Sequence, residues 1–154
     1  PDAPNFGSFA AALKAGNPDA IVAFNPGVLV PVVCHSEDED YTAGEIAQAL
    51  PECPGPWVER NGHRARYHVL SYLGNSWCQG PPRFPDELAI GYTRDVIGKG
   101  GVVTWDVPIE RGGLIPNPRL EAMAAPPAIV IVAPLLKLTV TGCPASAGLF
   151  KLAV

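Results

Sequence analysis

The alternation of apolar and polar positions divides the chain into short elements joined by long, polar loops. Residues 6–15 (FGSFAAALKA) have a helical, Ala-rich spacing and run into Gly16, a residue suited to a helix C-cap. Asn17-Pro18-Asp19 turns the chain, and the uninterrupted apolar run at 20–24 (AIVAF) predicts a buried strand ending at Asn25-Pro26-Gly27. Residues 28–33 are apolar too, but Pro31 confines them to an edge or a loop. Residues 46–50 fit one helical turn before Pro51. Residues 51–62 (PECPGPWVERNG) read as loop, with Trp57 their one large anchor. Residues 67–73 (YHVLSYL) predict a strand interrupted by His68 and Ser71. A lone His in such a run is more often a satisfied core or rim residue than a catalyst.

The sharpest pattern lies between residues 86 and 123. Residues 86–98 (DELAIGYTRDVIG) predict a helix, with Asp86 and Glu87 complementing the dipole at its start. Leu88, Tyr92 and Val96 recur at four-residue intervals and give it an apolar face. Lys99-Gly100-Gly101 stops it. Residues 102–105 (VVTW) are β-branched or aromatic and predict a strand buried on both faces, with Asp106 where the strand runs out. Gly112 and Gly113 supply turn freedom, and Pro116 and Pro118 suit a helix start before 119–123 (RLEAM).

Each predicted strand thus ends in a loop holding polar or aromatic residues: Asn25, then Asn75, Ser76 and Trp77, then Asp106. Such an order belongs to α/β folds that keep their chemistry at the carboxyl ends of parallel strands. Three or four strands cannot close an eight-stranded barrel. The expected fold over residues 1–123 is therefore a partial (β/α)8 TIM-type barrel.

Residues 124–154 break the pattern. No acidic residue follows Glu121, and the segment is Ala, Pro, Val and Leu with two lysines. Pro126, Pro127, Pro134 and Pro144 forbid a continuous helix, so no transmembrane span is expected. The tail is expected to be foreign to the domain: disordered, or derived from a shifted reading frame or an unrelated junction.

Composition narrows this little. Length allows one ordinary domain with a sizeable core, and 47% hydrophobic with 17% charged residues is globular. Eighteen prolines and sixteen glycines imply long, ordered loops. The formal net charge is −4, and no basic patch with interleaved aromatics is evident, so nucleic acid is not an expected partner. The first residues (PDAPNFGSF) lack both an initiating Met and a signal-peptide pattern, which reads as a mature form or a fragment. Cys34, Cys53, Cys78 and Cys143 have no CxxC spacing. They read either as small buried hydrophobes or as two disulfides in one of three pairings. Cys34-His35 with His63 and His68 fits no metal-ligand spacing, so neither metal nor cofactor is expected.

Four stretches carry a resemblance: NPDAIVAFNPG, EDYTAGE, HVLSYLGNSWCQG and GGVVTWDVPIERGGLIP. In their order and spacing they resemble the C-terminal half of the catalytic barrel of α-L-fucosidase-like proteins, glycoside hydrolase family 29 and its relatives. The resemblance spans about four-fifths of the chain, roughly residues 6–123. It implies hydrolysis of terminal glycosidic bonds by a retaining, two-carboxylate mechanism, a carbohydrate substrate, and a secreted, periplasmic or lysosomal-type compartment. It also implies that the nucleophilic Asp belongs upstream of Pro1, since Asp2 lacks the W-x-D-G setting of that strand end. The family's final strand reads more like G-N-L-L-L-N-I-G-P, so Trp105 and Asp106 mark a divergent branch whose sugar need not be fucose.

On these grounds Glu59, near Trp57, and Glu45 are the candidates for acid/base. His68, Trp77 and Asp106, with Trp57 and Trp105 as aromatic platforms, are the candidate sugar contacts. Each has a plainer role open to it: Glu59 as a loop charge, Trp77 as a core anchor, Asp106 as a cap or a partner for Arg94 or Arg111. Within the acidic run, Glu37 to Glu39 read as a solvated face. Asp40 and Glu45 flank a polar, Tyr- and Thr-bearing loop of the kind that binds. The competing class is a non-catalytic carbohydrate-binding or structural barrel remnant.

Overall fold

A computed structural model describes residues 5–77, 79–108, 112 and 114–115, and the backbone of 151–153. The elements are α1 (Phe6–Lys14), β1 (Trp57–Arg60), β2 (His63–Arg66), β3 (His68–Tyr72), α2 (Asp86–Gly98), β4 (Val102–Asp106) and β5 (Lys151–Ala153).

The centre is a β3–α2–β4 unit, in which β3 and β4 pair in parallel from His68 beside Val102 to Tyr72 beside Asp106. α2 spans the residues its spacing predicts, and Asp95 and Lys99 close its last turn with an ion pair of 3.0 Å. Gly101 lets the chain turn tightly from α2 into β4. A Cβ there would stand 2.8 Å from Val96 Cγ1 and 3.0 Å from the Tyr67 ring.

A third extended segment, residues 40–46, runs parallel to β3 on its other side. Thr42 N–H donates to the Arg66 carbonyl (3.0 Å), Leu70 N–H to Gly44 (2.9 Å) and Ile46 N–H to Leu70 (2.9 Å). Gly44 adopts φ +60°, and a Cβ there would overlap the His68 carbonyl, so no other residue fits. The lateral order is residues 40–46, β3, β4, with β5 antiparallel on the far edge of β4. Among the described residues the strands do not close on themselves. Of the atypical tail, residues 151–153 are the described part, and they join this sheet edge; the predicted helix at 119–123 lies outside the described residues.

The core lies under α2. Val32, Ile46, Cys53, Tyr67, Val69, Val96 and Val103 form it, with Leu50, Val58, Tyr92 and Trp105 packed at its margin. Tyr92 Oη donates to the Pro51 carbonyl (2.9 Å), which holds the loop before β1 against the helix.

Several expectations need correction. Residues 51–62 are not all loop. Trp57–Arg60 pairs antiparallel with His63–Arg66 through a two-residue turn at Asn61 (φ 51°) and Gly62 (φ 80°), the Asn-Gly pairing that right-twisted hairpins favour. Residues 20–24 are not a strand, and Ile21 is 67% exposed. Their N–H groups go to carboxylates instead: Val22 N–H to Asp40 Oδ2 (2.8 Å) and Phe24 N–H to Glu39 Oε1 (2.9 Å). Residues 46–50 form a bend without a helical turn, because Ile46 is still bound to β3. α1 is capped by Ala15 in a helical conformation, so Gly16 is not the cap residue. Cys34 and Cys53 are buried free thiols, which rules out the arrangement with both disulfides; Cys78 and Cys143 lie outside the described residues.

Glu39 is the largest departure. Expected on a solvated face, its side chain is fully buried. It accepts N–H groups from Phe24, His35 (2.6 Å) and Ser36 (3.4 Å). A buried carboxylate persists where several donors face it, and here it gathers three loop amides in place of a strand ladder.

Candidate functional site

Strand alternation sorts the parallel sheet into two faces. Val69, Ser71, Val103 and Trp105 share one, and Val69 and Val103 meet Val96 of α2 in the core. His68, Leu70, Tyr72, Val102, Thr104 and Asp106 share the other. The bridge between Glu45 and Leu70 continues that second face onto the outer segment, adding Glu45. Most of the ionisable candidates therefore fall on the face away from α2.

His68 bridges across it. Its Nδ1 lies 2.9 Å from the Thr42 carbonyl, which can only accept, so Nδ1 carries the proton. Nε2, 2.8 Å from Thr104 Oγ1, then accepts that hydroxyl. Burial pushes the His68 pKa down and favours the neutral ring this network requires. The ring also meets Tyr41 edge-on at 5.6 Å. His68 thus ties the outer segment to β4.

At the carboxyl end, Tyr72 packs against Trp77 with ring centres 4.6 Å apart, and Asp106 is Tyr72's register partner. Asp106 is fully buried. Arg83, which the sequence reading passed over, covers this end. Its Nε donates to the Tyr72 carbonyl (2.8 Å), Nη1 to the Ala47 carbonyl and Nη2 to Ser71 Oγ (2.6 Å). The guanidinium lies 3.8 Å from the Tyr72 ring centre and 4.2 Å from that of Phe84. One planar cation so fixes the ends of two parallel segments and an aromatic pair. Its only signal in sequence is an Arg held between prolines.

The remaining candidates separate. Trp105 is committed to α2: Nε1–H donates to Thr93 Oγ1 (2.8 Å), and its ring meets Tyr92 and Phe84 at 6.2 and 6.4 Å. Glu45 accepts from Asn25 Nδ2 (2.6 Å) and borders a shallow groove with His35, Pro26, Leu29 and Val33. Glu59 sits exposed on β1 opposite Arg64, whereas Glu45 is bridged to Leu70 of β3, so the two acid/base candidates are not brought together. Trp57 lies on that hairpin as well, with Arg64 and Arg66 at 5.2 and 4.9 Å from its ring centre. A small basic and aromatic patch therefore exists where the sequence showed none.

No three His, Cys, Asp or Glu side chains converge as a metal site among the described residues. No helix among them is long and apolar enough to cross a membrane. Compared with family models, curated proteins and solved structures, the chain gives no match in any of the three.

Proposed function

We propose that this chain is part of a (β/α)-barrel glycoside hydrolase of the α-L-fucosidase-like kind, supplying the inward face and carboxyl-end rim of several consecutive strands. The observation that carries this is the division of the parallel sheet. α2 and the aliphatic core occupy one face, as the outer helices of a barrel do. His68, Thr104, Tyr72, Asp106 and Glu45 occupy the other, as the residues of a barrel interior do. Trp77 on Tyr72 offers an aromatic surface of the kind that sugar rings stack on.

In the whole enzyme, retaining hydrolysis calls for two carboxyl groups about 5–5.5 Å apart. Glu45 and Glu59 stand on different elements and do not form that pair. The same separation favours the second reading, a carbohydrate-binding segment without chemistry of its own. Either way, the 154-residue chain is expected to bind a neutral monosaccharide and not to cleave one.

Two assays test this. Titration with L-fucose, D-galactose and D-xylose, followed by tryptophan fluorescence, should give a saturable change for one of them. That change should be lost in Trp77→Ala and kept in Trp57→Phe. Incubation with an aryl α-L-fucoside should release no phenol. Absence of saturable binding by all three sugars overturns the proposal; release abolished by Glu45→Gln or Glu59→Gln would put the chemistry within this chain.

A further inference from the structure

We propose that the outward face of the β1–β2 hairpin is a second binding site, for an acidic polysaccharide bearing carboxylate or sulfate groups. The register places Trp57 opposite Arg66 and Glu59 opposite Arg64, so by alternation these four side chains share one face. The opposite face is already used. Arg60 Nη1 donates to the Cys34 carbonyl (3.3 Å), His63 bonds the Glu39 carbonyl (2.6 Å), and Ala65 is buried. The outward face is open, with Trp57 39% exposed.

On that face both guanidinium groups lie within 5.2 Å of one indole centre. Among the described residues neither has a carboxylate within ion-pair distance, although Glu59 stands directly across from Arg64. Two planar cations are thus held beside one aromatic surface with their charge uncompensated. An isolated surface arginine sweeps freely; these two are restrained by the ring, which lowers the entropy lost on capturing an anion. Guanidinium groups take carboxylate and sulfate oxygens in pairs, and the indole supplies apolar surface for a sugar ring.

Charge distinguishes the polymer. Nucleic acid presents about one phosphate charge per 1.7 Å of duplex axis. Glu59 on the same face, in a chain of net charge −4, opposes so dense an anion. A polysaccharide with one charge per residue or fewer fits two arginines while leaving Glu59 to accept sugar hydroxyls. Through Arg66, which is bridged to Tyr41, the hairpin adjoins the outer segment beside the parallel sheet; the proposal does not depend on the barrel reading.

The test uses the full chain and four probes: an oligogalacturonate, a sulfated galactan oligosaccharide, a neutral galactan oligosaccharide of equal length, and a single-stranded oligonucleotide. Binding is read by calorimetry and by tryptophan fluorescence. The expected result is saturable binding of one or both acidic saccharides, weakening as salt rises, with the neutral one at least tenfold weaker. Arg64→Gln with Arg66→Gln should cost about tenfold or more in affinity. The Arg64→Lys, Arg66→Lys pair, which keeps the charge and cannot disturb folding by removing it, should cost about threefold through loss of the planar fork. Glu59→Gln should strengthen binding. Equal affinity for the neutral oligosaccharide, tighter binding of the oligonucleotide, or indifference to both arginine pairs would overturn the site. Carboxylate against sulfate preference names the natural anion.

Discussion

On the face of the parallel sheet beneath α2, Val69, Val103 and Val96 meet with almost no solvent contact. On the opposite face the same two strands carry His68, Thr104, Tyr72 and Asp106, of which the last three are buried as well. Both faces belong to the same two strands, so the difference lies in which side chains alternation sends each way and in the helix that covers one of them. The helix-covered face is held by apolar area and shape. The polar face is held by directed bonds: Thr42 to His68 to Thr104 across three strands, and Arg83 across the ends. Packing of the first kind tolerates no cavity, whereas bonding of the second kind tolerates no missing partner. A polar face costs stability relative to an apolar one, and chains keep it where binding or chemistry needs it.

The contrast can be broken outright at Gly44. Gly44→Ala would drive a methyl group into the His68 carbonyl at a left-handed φ, forcing residues 40–46 off β3. Both faces should fail together, at a cost of about 4 kcal/mol measured by urea unfolding. Ile46→Ala acts on the apolar side alone. Its side chain is fully buried, and about 3 kcal/mol should be lost, with sugar binding retained below the new unfolding transition. Thr104→Val acts on the polar side alone. It leaves His68 Nε2 without its donor and should cost about 1 kcal/mol, seen as a Tm lower by roughly 3 °C.

The smallest effect is one of pH. Because burial lowers the His68 pKa in the folded chain, the unfolded chain takes up a proton first as pH falls. Stability from this group is full above the unfolded value near 6.5 and is lost progressively below it. Unfolding midpoints at pH 7.5 and 5.0 should differ in that direction, and the difference should shrink in His68→Asn. A midpoint unchanged or higher at pH 5.0 would mean the ring is not held neutral between Thr42 and Thr104.

What the chain spells out locally was legible. β3, α2 and β4 lie where periodicity, the acidic first turn and the Gly100-Gly101 break put them, and Asp106 does end its strand. The misreadings share a cause. Residues 20–24 look like a strand because their apolar run is intact. Yet their amides bond to Glu39 and Asp40, about fifteen to twenty residues away. Glu39 itself looked solvated because a charge run gives no hint of which member three backbone donors will surround. The β1–β2 hairpin does carry a local signal, since Asn61-Gly62 is a strong turn pair. Of the candidate sugar contacts, Trp77 sits on Tyr72 at the strand ends, whereas Trp105 went to the helix because Thr93 offered its indole N–H a buried acceptor. Arg83 had no recognisable motif; only the folded strand ends show what it holds.

The most direct measurement is amide chemical-shift mapping of the 15N-labelled chain against L-fucose, D-galactose and D-xylose. Binding on the polar face should move the amides of Tyr72, Trp77, Asp106 and Glu45 together and leave Asp86–Gly98 unmoved. Shifts confined to α2, or no saturable shift with any of the three sugars, would contradict the assignment of that face to carbohydrate.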